Sequence, residues 1–510
     1  MAAKLPSETL QHIFNYINDT KTLYSIIQVN HDWCQNGIKF LWKEPFRNDI
    51  KLKNHIMILP ILLAFVNYEK VLKTLENNNE PLLEEKEDFQ SLSEPLLFNY
   101  PYLITHLDFH HLSRIILIFF KKSQYFKSSN KQQEREGSQI TNPNNKAIKD
   151  SKLVFNIECC LSMVLNIPAS RQSLENLKYL EIGSNFLKLS ILENLSKSCK
   201  QLKTIQIREE NFHVIRQSFV SLICNQNRLE NLIIFGNGVG NSPEGYNYDA
   251  TISEIFSTLK TVAHSLKKLE ISDVFVRDKE ALKGLIQCTN LSTLHFENSF
   301  ISPGNFQWIA LAELPRLQCL KLIRNWSSDE ETTDSQHNPM EEIFLNKRKS
   351  SDLKELSLKN FKMENFKLLE PVSSNCRNLV SLSVLVKTNE DISNISSLLK
   401  NLSTLEKLEL STSGPFTYDI NTETIIDMAK ILPKQLYYVN LIKIIDRLDD
   451  FEDFLENCAA DLKYLYIEFS IYYFFKVDRH IEFVKNWSQK NGKETRLLNI
   501  TWYHVNLEWC

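Results

Sequence analysis

The sequence predicts an α/β fold in which three short N-terminal helices precede a solenoid with parallel strands on its concave face and helices on its convex face. Two patterns carry this prediction. A leucine pattern recurs eleven times between residues 177 and 467, and the apolar residues of the first 45 positions recur at helical spacing. The chain has 510 residues, 43% hydrophobic and 24% charged, which is typical of a globular protein with an ample core.

The first 45 residues predict three short helices. The first begins near Ser7, a favourable N-cap residue, and its apolar residues form one narrow stripe made of Leu10, Ile13, Phe14 and Ile17. Asp19 is expected to cap a second helix, and a third carries Trp33 and ends before Pro45. Helices of this size bury too little surface to be stable alone, so they are expected to dock onto a partner.

The order and spacing of Leu5-Pro6-x-Glu8, Ile13-Phe14, Leu23 and Val29-x-x-x-Trp33 resemble the F-box family. The resemblance implies a domain over residues 1–46 that binds the Skp adaptor, and through it a cullin, in a ubiquitin ligase. The residues that would support or form this contact are Leu5, Pro6, Glu8, Leu10, Ile13, Phe14, Leu23, Val29 and Trp33. An ordinary helical cap for the solenoid is the alternative interpretation.

The remainder of the chain is organised by a repeat, Leu-x-x-Leu-x-Leu, with other apolar residues at some of its positions. Its first leucines lie between 25 residues apart (Leu177 to Leu202) and 37 residues apart (Leu229 to Leu266). The eleven copies begin at Leu177, Leu202, Leu229, Leu266, Leu291, Leu317, Leu353, Leu379, Leu405, Leu436 and Leu462. Weaker copies are expected at Leu107 and Leu497. The spacing is close to that of leucine-rich repeats, each of which needs stacked neighbours to be stable.

Three domains follow from these patterns. Residues 1–46 are expected to form the F-box that the resemblance implies, residues 47–100 a helical linker, and residues 101–510 a leucine-rich-repeat solenoid. Polar or glycine-rich composition predicts inserted loops at 123–151, 236–250 and 325–351. The glycines of the second loop lack the spacing of a nucleotide-binding fingerprint, so a turn-rich loop is the better interpretation.

The concave face is the expected site of target binding, because alternate strand residues point away from the core there. The last repeats are the most aromatic, and exposed tyrosines are enriched at binding hot spots. We therefore expect Tyr438, Tyr464 and Tyr466 to bind the substrate protein. The alternative is that they pack on a C-terminal cap with Trp502 and Trp509.

The sequence shows no pattern of a catalytic, metal or cofactor site. The ten cysteines contain no Cys-x-x-Cys pair, and no nucleophile or phosphate-binding motif is present. A net charge of −3 favours neither nucleic acid nor a membrane surface. The apolar run Ile56 to Val66 is too short to cross a bilayer, and the N-terminal residues do not resemble a signal peptide. A cytoplasmic or nuclear location without cofactors is therefore expected.

Together these patterns predict a non-catalytic substrate receptor of a Skp–cullin–F-box ubiquitin ligase, whose repeats bind an unknown protein target. A leucine-rich-repeat scaffold or inhibitor without ligase coupling is the first alternative. An enzyme is the second, and it would require a deep pocket with perturbed carboxylates or histidines.

Overall fold

The protein is described by a computed structural model, which divides into two compact units, Met1–Asn237 and Gly238–Cys510. Apart from a few isolated positions, the structure describes residues 5–45, 100–108, 174–183, 189–208, 212–236, 245–302, 314–323, 352–359, 369–412, 420–442 and 448–468. The predicted loops at 123–151 and 325–351, most of the predicted linker, Leu497, Trp502 and Trp509 lie outside these residues.

The first unit begins with three short helices: α1 (Ser7–Asn15), α2 (Thr20–Ile27) and α3 (His31–Leu41). Asp19 caps α2 as predicted, because its carboxylate accepts hydrogen bonds from the Lys21 and Thr22 amides. Asn30 caps α3 through the Trp33 amide. Ser7 is not the cap of α1, since the helix already begins there and Pro6 takes the cap position.

The first unit continues with four parallel strands in sequence order. These are β1 (His106–Asp108), β2 (Tyr179–Gly183), β3 (Thr204–Arg208) and β4 (Asn231–Phe235). A short helix α4 (Tyr100–Leu103) precedes β1, and α5 (Leu189–Ser198) and α6 (Phe212–Cys224) connect the later strands. The strand–helix alternation follows from the short apolar runs and the helical spacing between them.

The three helices are joined to the first strand through the residues that follow α3. The Lys43 carbonyl accepts hydrogen bonds from the amides of Thr105 and His106, at 3.0 and 3.1 Å. The same pair of hydrogen bonds recurs between successive repeats, where the Lys178 carbonyl accepts hydrogen bonds from the amides of Lys203 and Thr204. The Lys43 carbonyl therefore bonds to the start of β1 in the way that a preceding repeat bonds to a later strand.

The second unit contains eight strands that lie parallel in one sheet, in the order β5, β7, β9, β10, β11, β12, β13, β14. Their bounds are β5 (Lys268–Ser272), β7 (Thr293–Glu297), β9 (Cys319–Ile323), β10 (Glu355–Lys359), β11 (Ser381–Leu385), β12 (Lys407–Ser411), β13 (Tyr438–Ile442) and β14 (Tyr464–Glu468). The connecting helices are α7 (Gly245–Val262), which precedes β5, α8 (Leu369–Asn375), α9 (Asn389–Leu399), α10 (Thr422–Ile431) and α11 (Leu448–Asn457).

The predicted register of the eleven main repeat copies is confirmed. Each of the eleven first leucines lies two residues before a strand, as Leu177 precedes β2 and Leu462 precedes β14. Leucines and isoleucines at the inward strand positions are buried, and Leu180 and Ile182 are fully so. The earlier weak copy is also a strand, but its register differs from the prediction, because Leu107 pairs with Leu180 rather than with a first leucine.

Two features of the second unit differ from the sequence prediction. Helix α7 begins at Gly245, so the predicted loop at 236–250 is helical over its last six residues. After β5 and β7 the chain forms two additional short strands, β6 (Phe275–Val276) and β8 (Phe300–Ile301), which pair with each other. A 3₁₀ helix, Ala281–Gln287, then replaces an α-helix between β6 and β7. Asp273 and Asn298 precede the short strands in left-handed conformations, which these residue types tolerate.

Candidate functional site

The helical domain exposes an apolar surface. Among the described residues, eight large hydrophobic side chains are exposed, and five of them fall within the first 29 residues. These five are Leu5 (43%), Ile13 (42%), Tyr16 (72%), Tyr24 (56%) and Val29 (57%). Five exposed large apolar side chains on so small a domain make it a candidate interaction surface.

The structure separates the predicted adaptor residues into two groups. Leu10, Phe14 and Leu23 are buried, and Leu10 and Phe14 share a small core with Ile26. The Trp33 ring packs edge-on against Phe14 with 5.5 Å between ring centroids. These four residues hold the helices together and position the others.

The remaining predicted adaptor residues are exposed. They are Leu5, Pro6, Glu8, Ile13 and Val29. Pro6 occupies the cap position of α1, where its carbonyl accepts the Leu10 amide, and Glu8 lies in the first helical turn. Tyr16 and Tyr24, which sequence reasoning did not select, extend the exposed surface. The apolar stripe of α1 does not include either tyrosine, so helical spacing gave no sign of their exposure.

The three predicted substrate tyrosines lie together on two neighbouring strands of the second unit. Tyr438 on β13 is in register with Tyr464 on β14, and Asn440 is in register with Tyr466. All three tyrosines are half-buried. Burial, followed by the nearby Glu409 carboxylate, raises the pKa of Tyr438, so its hydroxyl stays protonated at neutral pH.

Tyr437 belongs to the same group, although sequence reasoning did not select it. Its ring meets that of Tyr464 edge-on, with 6.1 Å between centroids. Alternation along a strand selects Tyr438, whereas Tyr437 lies directly after Leu436 and just before β13. We call the four residues Tyr437, Tyr438, Tyr464 and Tyr466 the aromatic patch.

A polar network lies beside the aromatic patch. The Lys359 ammonium contacts a Glu409 carboxylate oxygen at 2.6 Å. Glu409 also accepts hydrogen bonds from the Ser383 hydroxyl at 3.1 Å and from Asn440 Nδ2 at 3.0 Å. The network spans the strands from β10 to β13, so it fixes the orientation of the Asn440 amide.

A second cluster of charged side chains in the same unit lies around His295 on β7. Its Nδ1 lies 3.5 Å from Glu270, and its Nε2 lies 3.7 Å from Glu297, which is too long for a hydrogen bond. Lys268 contacts Glu270 at 3.0 Å. Hydrogen bonding from His295, and then from Lys268, lowers the pKa of Glu270 despite its partial burial.

The strand face of the first unit carries a closed hydrogen-bond network. The Tyr179 hydroxyl donates to Glu181 at 2.9 Å, and the Gln206 amide donates to the other oxygen of Glu181 at 2.9 Å. The Arg208 guanidinium lies 4.1 Å from the centroid of the Phe235 ring. The polar groups of this network satisfy one another.

No cluster of three or more His, Cys, Asp or Glu side chains that could hold a metal ion occurs in the described part of the chain. Among the helices described, the longest has 18 residues, and none combines the length and hydropathy needed to span a bilayer.

Comparison with known proteins places the first helices in a family. The family model described as F-box-like matches residues 2–48. No curated protein sequence matches the chain.

Several solved structures have partial similarity to the chain. One is the complex of Rad7 and Elc1 in yeast, at 14% identity, 69% of this chain, 92% of that chain and a TM-score of 0.36. Another is the leucine-rich repeat-containing protein LegL7 from Legionella pneumophila, at 11% identity, 60% and 97% coverage and a TM-score of 0.35. A third is an internalin from Listeria monocytogenes, at 16% identity, 54% and 70% coverage and a TM-score of 0.30.

The repeat architecture is established by the strand register and the buried leucines described above. The chain therefore carries an F-box-like domain at its N-terminus, followed by parallel strands and helices of leucine-rich repeats.

Proposed function

We propose that this protein is the substrate-recognition subunit of a Skp–cullin–F-box ubiquitin ligase. In this proposal the F-box-like domain binds the Skp adaptor, the adaptor binds a cullin, and the repeats hold a protein target for ubiquitination. The cytoplasm or the nucleus is the compartment that this function requires.

The observation that carries the proposal is the exposed apolar surface of the F-box-like domain. Ile13 and Val29 belong to the family pattern, are not used by the core of their own domain, and are 42% and 57% exposed. Burying such side chains against a partner contributes about 1.5–3 kcal/mol each. Had the three helices turned this surface inward, no adaptor site would remain.

The connection between the F-box-like domain and the first repeat supports the same function. The Lys43 carbonyl pairs with β1, and the Trp42 ring lies on Tyr100 with 4.4 Å between centroids. A receptor of this kind supplies proximity, which is worth several kcal/mol when the reacting groups are held in place. A firm joint between the adaptor-binding domain and the repeats preserves that benefit.

The receptor itself performs no chemistry in this proposal. F-box-like domains and leucine-rich repeats are typically interaction modules, and the conjugating enzyme of the ligase would supply the reactive thioester. Tyr438, Tyr464 and Tyr466 are the residues that we propose for target binding, because their half-exposed rings share one strand face.

The experiment measures binding of the full-length chain to a purified Skp-family adaptor by isothermal titration calorimetry. The double variant Ile13→Asp/Val29→Asp should lose about 2 kcal/mol or more of binding free energy, because two charges would enter an apolar interface. Both positions are exposed, so circular dichroism should show an unchanged fold.

The control is Leu311→Asp, which places a single aspartate on an exposed leucine of the second unit. It should leave adaptor binding unchanged. If the unmodified chain does not bind the adaptor at all, the ligase assignment is wrong, and a scaffold or inhibitor built on leucine-rich repeats becomes the better function.

A further inference from the structure

Asn440 contains a buried hydrogen-bond acceptor without a partner. The residue is 6% exposed, and its Oδ1 accepts no hydrogen bond, whereas its Nδ2 donates to Glu409 at 3.0 Å. A buried polar atom left unpaired carries a free-energy cost, so such atoms in folded proteins call for an explanation. A ligand that donates a hydrogen bond would remove this cost.

The identity of the unpaired atom is fixed by its surroundings. Exchanging the nitrogen and oxygen of the Asn440 amide would direct an oxygen at the Glu409 carboxylate, which can only accept hydrogen bonds. Lys359 holds that carboxylate in place at 2.6 Å. The group that remains unsatisfied is therefore an acceptor, and its missing partner is a donor.

Tyrosines occupy neighbouring positions on the strand of Asn440 and on the next strand. Tyr438 lies two residues before Asn440 on β13, and Tyr464 and Tyr466 occupy the register positions opposite them on β14. The faces of tyrosine rings carry negative electrostatic potential and attract cations. The aromatic patch and Asn440 thus combine stacking surfaces with one acceptor that needs a donor.

We infer that the aromatic patch, together with Asn440, binds an arginine side chain of the target protein. The guanidinium group is planar, stacks on aromatic rings and carries five N–H donors. A carboxylate has no donor to offer to Asn440, and a lysine ammonium cannot stack. This inference rests on the proposed function for the existence of a target, and it names the chemical group that the target presents.

Two features affect how strongly an arginine can bind at the aromatic patch: the burial of the acceptor and a nearby positive charge. Asn440 Oδ1 has almost no exposed surface, so an arginine reaches it only when the atoms that cover it move. Lys407 on β12 is exposed and lies in register with Tyr438. Its positive charge opposes a cation at the patch, and this opposition supplies a test of the charge of the ligand.

The test uses the full-length chain and three capped tripeptides as probes: acetyl-Ala-Arg-Ala-amide, its citrulline analogue and its glutamate analogue. Citrulline keeps the shape of arginine but has no charge. Binding is measured by saturation-transfer difference NMR with titration of each peptide. The arginine peptide should bind most tightly, the citrulline peptide about tenfold more weakly, and the glutamate peptide not at all.

Two variants and one control connect this binding to the patch. Asn440→Leu removes the acceptor and should weaken binding of the arginine peptide about tenfold. Lys407→Glu should strengthen it, whereas a neutral or anionic ligand would not gain. The control Asn231→Leu changes another strand-face asparagine, which is paired with Thr204 at 2.9 Å in the first unit, and should have no effect.

Equal binding of the arginine and citrulline peptides would overturn the inference, since it would identify a neutral donor as the ligand. Absence of any binding, or an Asn440→Leu variant that is folded by circular dichroism and binds normally, would overturn it as well. Adaptor binding is measured in parallel. If the adaptor still binds while the arginine peptide does not, the inference fails and the proposed function stands.

Discussion

At the scale of single residues, Gly284 shows how tightly the second unit is packed. It lies in the 3₁₀ helix Ala281–Gln287, and a Cβ at this position would run into the Phe256 carbonyl oxygen in α7. Backbone atoms cannot move aside as a flexible side chain can. Gly284→Ala should therefore destabilise the protein by about 1–3 kcal/mol, measured as a shift of the urea unfolding transition.

Gly37 in α3 provides the matched comparison. A Cβ there would lie 3.1 Å from Ile27 Cγ2, a methyl group that can shift. Alanine also favours the helix over glycine by about 1 kcal/mol. Gly37→Ala should consequently cost much less than Gly284→Ala. Equal destabilisation by the two variants would show that the close contact at Gly284 is not what requires a glycine.

His106 gives the first unit a dependence on pH. Burial, followed by the charges of Lys43 and Lys178, lowers the pKa of His106 from 6.5 to about 4. In the unfolded chain the His106 imidazole is therefore protonated below about pH 6.5, whereas in the folded chain it is protonated only below about pH 4. Stability should fall as the pH drops through this window, by at most about 1.4 kcal/mol per pH unit and less because the ring is partly exposed.

The measurement compares unfolding of the unmodified chain with that of His106→Gln between pH 4 and 7.5. Replacement removes the stacking on Tyr179, whose ring centroid lies 5.6 Å away, and this loss should be independent of pH. The unmodified chain should therefore be more stable than His106→Gln by a constant amount above pH 6.5. This difference in unfolding free energy should shrink below pH 6.5. A difference that does not vary with pH would contradict the lowered pKa.

At the scale of elements, the joint between α3 and β1 makes the F-box-like domain part of the repeat ladder. Trp42 is 7% exposed and contacts Tyr100, and the next residue supplies the carbonyl that pairs with β1. Trp42→Ala should destabilise this joint by about 3–5 kcal/mol. Hydrogen exchange should then lose protection at the Thr105 and His106 amides.

A suitable control for the joint is Tyr24→Ala, which removes an exposed aromatic side chain of α2. It should leave exchange at Thr105 and His106 unchanged. Protection that persists in Trp42→Ala would mean that the Lys43 carbonyl alone holds the first strand.

The repeat elements could be predicted from sequence because one spacing determines both burial and pairing. Each first leucine fixes the strand that begins two residues later, as Leu405 does for β12, and parallel pairing then aligns equivalent residues of successive copies. The helix caps were less predictable. The sequence predicted the Asp19 cap but not the Asn30 cap. Capping depends on local backbone conformation, which the residue type alone does not determine.

The candidate sites could be predicted only in part. Helical spacing gave one stripe containing Leu10, Ile13 and Phe14, but it could not distinguish Ile13, which is exposed, from its buried neighbours. That distinction depends on how three helices pack. The pairing of Tyr437 with Tyr464 and the unpaired acceptor of Asn440 likewise arise between strands distant in sequence.

At the scale of the whole molecule, the two proposed binding surfaces belong to different units. The adaptor surface, with Ile13 and Val29, lies in the first unit, and the aromatic patch lies in the second. They share no described residue or hydrogen-bond network. Effects at sites without shared partners usually add within about 0.3–0.5 kcal/mol. The molecule should therefore bind adaptor and target independently.

This independence can be measured with a cycle of three variants: Ile13→Asp/Val29→Asp, Asn440→Leu and their combination. The first should lose adaptor binding and keep its affinity for the arginine peptide, and the second should do the opposite. The combined variant should show both losses, each equal to that of its parent. A coupling larger than about 1 kcal/mol, seen as adaptor binding that depends on the peptide, would reveal a conformational link between the units. Without such a link, the adaptor would bind the receptor with the same affinity whether or not a target is bound.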